Sequence, residues 1–312
     1  MTAAHTSTAG RRAVERLAAA LTGTAAGTMP PHLDAALDRV EAGPWPEVAW
    51  TWSRLTPSGC PVELATDPTG GSRLYWAAEV CGPQAPEADR LRRTVTVLAE
   101  AGQAPAAEVV RSLAALQHGA DLRFGAWVGG REDVRGAAPA RLKLYAELAG
   151  LPEELLARPV LDAWRALPAG TVPRMFGIEP ATGKSELYAR LPITDPLDLM
   201  PFLHAAGHLR ALNGVRDRLP GGLDRLAGRR LGVSVAWTPD TADLELCLFV
   251  TARTLFPGAP ELLGPLVPRM PALEGRRLGS VTLRLDPTGR TLSTALALSP
   301  RTSGLGRRTG PR

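Results

Sequence analysis

The residues that could carry chemistry recur in pairs two positions apart. Lys143 and Tyr145 share one face of Arg141-Leu-Lys-Leu-Tyr-Ala-Glu-Leu148, and Arg73 and Tyr75 share one face of Ser72-Arg-Leu-Tyr-Trp-Ala-Ala-Glu-Val80. Ser185-Glu-Leu-Tyr-Ala-Arg-Leu191 has the same shape, with Glu186, Tyr188 and Arg190 on one side and Leu187, Ala189 and Leu191 on the other. A period of two places such residues on a single face of a β-strand. Fixed cations beside aromatic rings offer a seat for an anionic group and a π-face for a developing cation. One such strand alone would be an ordinary solvated face. The chain's only three tyrosines all lie in these segments, each backed by apolar residues, which points to a shared lumen.

The elements that would position these strands follow a repeating order. Helical spacing of apolar residues covers Arg11 to Leu21 and His32 to Val40, and the texture from Val48 to Thr66 is strand-like, with Trp50 and Trp52 on one face. Turns at Thr56 to Gly59 and Asp67 to Gly71 frame the strand that carries Glu63 and lead into the Arg73 strand. Helices over Glu87 to Leu98 and Pro105 to Gln117 precede a hairpin of Leu122 to Val128 with Pro139 to Leu148, turning at Gly129-Gly130. A helix over Pro152 to Leu167, interrupted by Pro159, leads to the hairpin of Val172 to Ile178 with the Tyr188 strand. Asp195-Pro196 then opens a long helix to about Leu212. Two further hairpins pair Leu231 to Trp237 with Leu244 to Val250, and Gly279 to Leu285 with Thr291 to Leu298, across a loosely helical Pro257 to Leu273.

Helix, strand, strand, helix thus recurs about five times. Five hairpins give ten antiparallel strands, and so wide a sheet closes to remove its edges. The expected fold is an α+β one: a ten-stranded antiparallel barrel of about five αββα repeats, helices outside and a ligand lumen inside. It would occupy residues 11–299 as one domain, with a flexible start at 1–10 and a flexible basic tail at 300–312.

Composition narrows the function classes. The formal net charge is +5, but the last twelve residues hold four arginines and no acid, so the body is close to neutral and nucleic acid is not indicated. Cys60, Cys81 and Cys247 are odd in number and far apart, as expected of buried free thiols rather than disulfides or a zinc site. No apolar run reaches membrane-spanning length and the first ten residues are small and polar, so a soluble, cytoplasmic monomer or homodimer is expected. Gly183-Lys184-Ser185 lacks the upstream spacing of a phosphate-binding loop, and His204 and His208 lack a third metal ligand.

In architecture, and in a few short motifs, the chain resembles the aromatic prenyltransferases of the ABBA type, most closely the indole prenyltransferases of the dimethylallyltryptophan synthase group. Gly59-Cys-Pro-Val-Glu-Leu-Ala65 is similar to the family segment that supplies the catalytic glutamate, here Glu63. Arg73 stands where the family places a basic residue, and Lys143-Leu-Tyr145 matches its Lys-x-Tyr. Lys184-Ser-Glu-Leu-Tyr188 matches the family's Arg-x-Lys-x-Tyr at its ends but has Glu186 in the middle. Where the family offers later polar residues and tyrosines, this chain has Ser234, Ala236 and Trp237, then Leu246 and Leu248.

The resemblance implies transfer of a dimethylallyl or longer prenyl group from its diphosphate to an electron-rich aromatic acceptor, indole-like or tricyclic, in secondary metabolism. Arg73, Lys143 and Lys184 would bind the diphosphate; Tyr145, Tyr188 and Tyr75 would shield the allylic cation; Trp50, Trp52 or Trp237 would line an aromatic pocket. Glu63 would hydrogen-bond the acceptor N–H or O–H, while Glu186 would pair with Lys143 or Lys184. No DDxxD-type cluster occurs, so neither a metal nor another cofactor is expected. The alternative is a catalytically reduced barrel that binds or carries an apolar aromatic molecule.

Overall fold

The computed structural model describes residues 8–25, 27–43, 48, 50–65, 73–136, 138–193, 195–241, 243–264 and 276–300. The basic tail from Arg301, the start up to residue 7 and the Asp67 to Gly71 turn lie outside the described residues.

Ten strands close into one antiparallel barrel: β1 (Val62–Ala65), β2 (Arg73–Ala78), β3 (Ala126–Asp133), β4 (Arg141–Glu147), β5 (Val172–Glu179), β6 (Lys184–Arg190), β7 (Gly232–Trp237), β8 (Glu245–Thr251), β9 (Arg276–Leu285) and β10 (Leu292–Pro300). Each pairs with its sequence neighbour, and β10 closes on β1 through Leu64↔Leu298 and Ala65↔Ala297. Antiparallel neighbours need only short turns, so the hairpins gather at one end and the helical connections return from the other. Alternation divides each strand between two environments. Leu64, Leu74, Val128, Leu142, Leu144, Leu187, Val235, Leu248 and Leu283 point outward and are fully buried under the helices. Their inward neighbours Glu63, Tyr75, Tyr145, Tyr188, Phe249 and Thr282 keep accessible surface, so the interior is a lumen and not a second packed core.

The outer layer comprises α1 (Ala9–Thr22), α2 (Pro31–Glu41), α3 (Glu87–Glu100), α4 (Ala107–Gln117), α5 (Arg158–Arg165), α6 (Met200–Ala205), α7 (Ala211–Arg218) and α8 (Ala252–Leu255). α1 begins two residues before its expected start because the Thr8 hydroxyl caps it, accepting the Arg11 amide at 3.2 Å. None of the described helices is long and apolar enough to cross a membrane. Buried carboxylates stitch helices and loops to the barrel. Glu132 accepts Trp76 Nε1 at 2.8 Å and lies 2.9 Å from His32 Nδ1, while Glu147 accepts the backbone N–H groups of Arg123, Phe124 and Gly125 at 2.7–2.9 Å.

Three expectations about elements are corrected. From Thr51 to Cys60 the chain is irregular rather than a strand, folded back by a Ser53 amide to Gly59 carbonyl bond of 2.9 Å with Gly59 at φ +79°. Gly129-Gly130 is not a turn: β3 runs through it to Asp133, paired to β4 by Gly129↔Lys143 and Arg131↔Arg141. The long helix from Pro196 breaks into a 3-10 turn over Pro196–Leu199, then α6 and α7, because Gly207 takes φ +73° between the two helices.

Candidate active site

The lumen is best built from rows of residues that face one another across neighbouring strands. One row runs Glu63, Ala77, Gly129, Lys143 across β1 to β4. It places the backbones of Glu63 and Lys143 three strand spacings apart, about 14 Å along the wall, with the Ala77 methyl and Gly129, which lies under the Tyr145 ring, between them. The next row runs Ala65, Tyr75, Arg131, Arg141, and a third runs Trp127, Tyr145, Gly177, Glu186, Ala236, Glu245.

Glycines make room for the functional side chains. A Cβ on Gly129 would overlap the Tyr145 ring, one on Gly177 would overlap Lys143 Cε, and one on Gly279 would overlap Glu63 Oε1. Tyr145 and Lys143 therefore lie flat across the backbone of the adjacent strand, and Glu63 reaches past β10 to the backbone of β9, each where only hydrogen fits.

Glu63 has no ion pair or hydrogen bond to any described residue, and burial pushes its carboxyl up from 4.5 to about 7. A carboxylate so placed is poised to accept a hydrogen bond from a ligand N–H or O–H near neutral pH.

Lys143 is committed within the wall. Its ammonium is ion-paired with Glu186, donates to Tyr188 Oη at 3.1 Å, and sits 5.0 Å from the Tyr145 ring centre and 5.3 Å from that of Tyr188. Tyr188 Oη in turn donates to Glu186 Oε2 at 2.6 Å. Burial alone would lower the lysine, but the Glu186 charge outweighs it and holds the ammonium above its usual range. Burial would likewise raise Glu186, but the Lys143 charge and the Tyr188 hydroxyl hold it below its usual value. Burial, with Glu186 close by, raises both Tyr145 and Tyr188, so the phenols stay neutral. Their rings meet edge to face at 5.9 Å, and Phe249 continues the aromatic wall at 5.7 Å from Tyr188.

The other expected residues divide. Tyr75 faces the lumen with the Arg131 guanidinium 4.9 Å over its ring. Arg73 lies exposed where β2 enters the barrel at the hairpin end. Lys184 is also at that end and binds Glu245 at 2.7 Å, with Arg284 on the other oxygen of the same carboxylate. Lys184 and Arg284 are therefore shared with Glu245 rather than turned wholly to the lumen. A cleft of about 780 Å³ opens there, lined by lumen-facing Glu245, Arg284 and Ser293 together with Ala205 to His208.

Two of the three tryptophans expected to line a pocket, Trp50 and Trp237, do not face the lumen rows. Trp50 is buried in the outer layer, packed on Gly10 of α1 and donating to Glu41 of α2 at 3.2 Å. Trp237 shares the outward phase of Val233 and Val235, with its ring 6.0 Å from that of Phe176. Trp52 is held at the helix-connected end, where Arg90 lies 4.5 Å over its ring and is itself paired with buried Glu79.

Leu246 and Leu248 are likewise outward, one residue out of phase with the lumen; the inward positions of β8 are Cys247 and Phe249. Ser234 and Ala236 face inward as expected. All three cysteines are free; Cys60 and Cys81 are buried, whereas Cys247 keeps some exposure. His208 is buried, its Nδ1 2.9 Å from the Ala206 carbonyl, and His204 is exposed.

Three lumen residues escaped sequence reasoning: Trp127, Arg131 and Phe249. Arg131 and Trp127 are in phase with Lys143 and Tyr145 once β3 is continued through its glycines, which was the available signal. Among the described residues no cluster of three or more histidine, cysteine, aspartate or glutamate side chains could hold a metal ion.

No family model matches the chain, and no curated relative matches it. Solved structures do. A 6-dimethylallyltryptophan synthase from Micromonospora olivasterospora, in complex with DMASPP and Trp, superposes with TM-score 0.63 at 17% identity, over 92% of this chain and 95% of that one. The prenyltransferase PriB, in its apo form, gives 0.61 at 16% identity over 93% and 95%. A 5-dimethylallyltryptophan synthase from Streptomyces coelicolor, also with DMASPP and Trp, gives 0.59 at 14% identity over 96% of each chain. At these identities the likeness is one of fold: the chain folds as a prenyltransferase barrel.

Proposed function

We propose that this barrel transfers a dimethylallyl or longer prenyl group from its diphosphate to an electron-rich aromatic acceptor of indole-like or tricyclic type. The observation that carries the reading is the Glu63 to Lys143 row: a lumen carboxylate with no hydrogen bond or ion pair to any described residue shares one cross-strand row with an ammonium flanked by the Tyr145 and Tyr188 rings. The fold neighbours that hold a thiolodiphosphate donor analogue and tryptophan support the same assignment.

In this reading the allylic C–O bond breaks and its electron pair leaves with the diphosphate. Lys143, Arg131 and Arg73 meet that charge, with Lys184 nearer the mouth. The allylic cation is held against Tyr145, Tyr188, Tyr75 and Phe249, whose faces exclude water. Glu63 accepts a hydrogen bond from the acceptor N–H or O–H, which raises the ring's nucleophilicity as the new C–C bond forms, and the arenium then loses its proton. Side-chain cations suffice for the diphosphate in this scheme, so the reaction proceeds without magnesium. The protein acts as a soluble enzyme on small-molecule substrates.

A carrier of apolar aromatic ligands is the second reading, favoured by one observation: Glu186 already neutralises Lys143. The deciding experiment is incubation with dimethylallyl diphosphate and a panel of indoles, tricyclic aromatics and phenols, with and without EDTA, read by mass spectrometry. A product one C5H8 heavier that survives EDTA and is lost in Glu63→Gln supports the transferase. Loss with EDTA overturns the metal-independent scheme. Absence of product with every acceptor, together with no pyrophosphate binding, establishes the carrier.

A further inference from the structure

We infer that Glu186 is a built-in occupant of the diphosphate subsite, its carboxylate holding the place at Lys143 that an anionic donor must take and thereby setting donor affinity. The inference rests on the prenyl-transfer reading for the placement of diphosphate at Lys143.

The geometry is that of a bound anion. The carboxylate of Glu186 takes a charged contact from Lys143, and its Oε2 accepts the Tyr188 hydroxyl at 2.6 Å. Those are the lysine and the phenol that would otherwise serve an incoming phosphate oxygen. The groups clustered about Glu186 and its lysine are Lys143 and Tyr145 from β4, Glu179 from β5, which acts on those two, Tyr188 from β6, Ser234 from β7 and Cys247 from β8. Only one of these, Lys143, is a cation. A diphosphate entering here would meet one ammonium already neutralised and a carboxylate of like charge in a buried setting, which opposes binding.

Stability gives Glu186 little reason to be there, since a buried ion pair adds little over apolar residues of similar volume. Its surroundings give it somewhere to go. Of the cross-strand neighbours of Glu186 in the wall, Gly177 lies under Lys143 and Tyr188, whereas Ala236 presents only a methyl group, so the carboxylate can swing toward the Ala236 side by a change of rotamer. The same arrangement recurs at the mouth, where Glu245 holds Lys184 and Arg284. A ligand must therefore bring enough negative charge to displace an internal carboxylate, which selects for a diphosphate over a singly charged or neutral head group.

The test is a double-mutant cycle on pyrophosphate and dimethylallyl thiolodiphosphate binding, by calorimetry, with wild type, Glu186→Gln, Lys143→Gln and the double variant. Glu186→Gln is expected to tighten both ligands on the order of tenfold or more. Lys143→Gln should matter little in wild type but cancel the gain in the Glu186→Gln background. Unchanged or weaker binding in Glu186→Gln, or additive effects across the cycle, overturns the inference. Should Glu186→Gln fail to fold, Glu186→Asp carries the test. Its shorter side chain withdraws the charge from Lys143 and should also tighten pyrophosphate, and unchanged or weaker binding there again overturns the inference. Prenyl transfer is read separately. Tighter pyrophosphate binding without product in any variant sinks the transferase reading alone, and product without tighter binding sinks this inference alone.

Discussion

The two halves of the barrel wall are built to opposite specifications. From β1 to β6 the lumen face carries Glu63, Tyr75, Trp127, Arg131, Lys143, Tyr145, Glu186 and Tyr188. From β7 to β10 it carries Ser234, Ala236, Cys247, Phe249, Thr282 and Ala295, with its charged pair Glu245 and Arg284 confined to the hairpin end. The first half fixes charges and rings; the second leaves volume. A site that must grip a diphosphate and also admit a bulky aromatic needs both, and a closed barrel lets one wall do each.

That contrast is broken most severely at Glu63. Glu63→Gln should lower the rate of product formation by about 10²- to 10⁴-fold, the scale for a lost acid–base group, as measured by steady-state kinetics with a saturating acceptor. The pH profile sharpens the point. Because the carboxyl is raised to about 7 by burial, kcat/KM should rise about tenfold per pH unit below that value and level off above it. Stability should move the other way. Below the ordinary value of 4.5 the group is neutral folded and unfolded, so burial adds no charge penalty; as pH rises through about 7 the folded state must carry a buried charge. Glu63→Gln should therefore raise Tm at pH 8 more than at pH 4, by thermal denaturation.

Next in size is the pair on the gripping wall. Lys143→Ala leaves Glu186 buried without its counter-ion and should destabilise the fold by about 3–5 kcal/mol, whereas replacing both residues by apolar ones should be close to neutral; chemical denaturation distinguishes the two. On the spacious wall, Thr282→Trp fills volume beside Phe249 and Ala295. Turnover of tricyclic acceptors should fall about tenfold or more relative to a simple indole, while pyrophosphate affinity stays unchanged. An equal loss for all acceptors would contradict the division of labour.

The smallest effect belongs to Gly177→Ala. The added methyl displaces the end of Lys143 and comes to 3.4 Å from the Tyr188 ring, so stability should fall by about 1 kcal/mol while donor KM rises several-fold.

Much of this was legible before any coordinates. Leucines alternating with Lys143 and Tyr145, or with Glu186 and Tyr188, fix which side of a strand is oily and which is polar, since a one-residue slip would bury the charges under helices. The five-fold recurrence of helix, strand, strand, helix predicted the barrel, and the pairing of Glu186 with Lys143 was among the expected outcomes. The errors fall where local pattern loses its grip. Gly129-Gly130 carries turn chemistry, yet those glycines sit mid-strand because the Tyr145 ring and the Trp76 indole lie against them. In β8 one face is Leu246, Leu248 and Val250 and the other Cys247 and Phe249, so neither reads as polar and the phase was taken one residue out.

By itself, then, the sequence determined the elements, their order and the alternation that makes one face of β4 and β6 chemical. Periodicity is a local property, written in residues that are neighbours along the chain. Only the closed barrel decided which cations are spoken for. That Glu186 holds Lys143 across Gly177, that Glu245 holds Lys184 and Arg284, and that Glu63 reaches Gly279 with no hydrogen-bond or ionic partner among the described residues are relations between strands far apart in the chain. Coulomb energy depends on separations in space that sequence spacing does not encode.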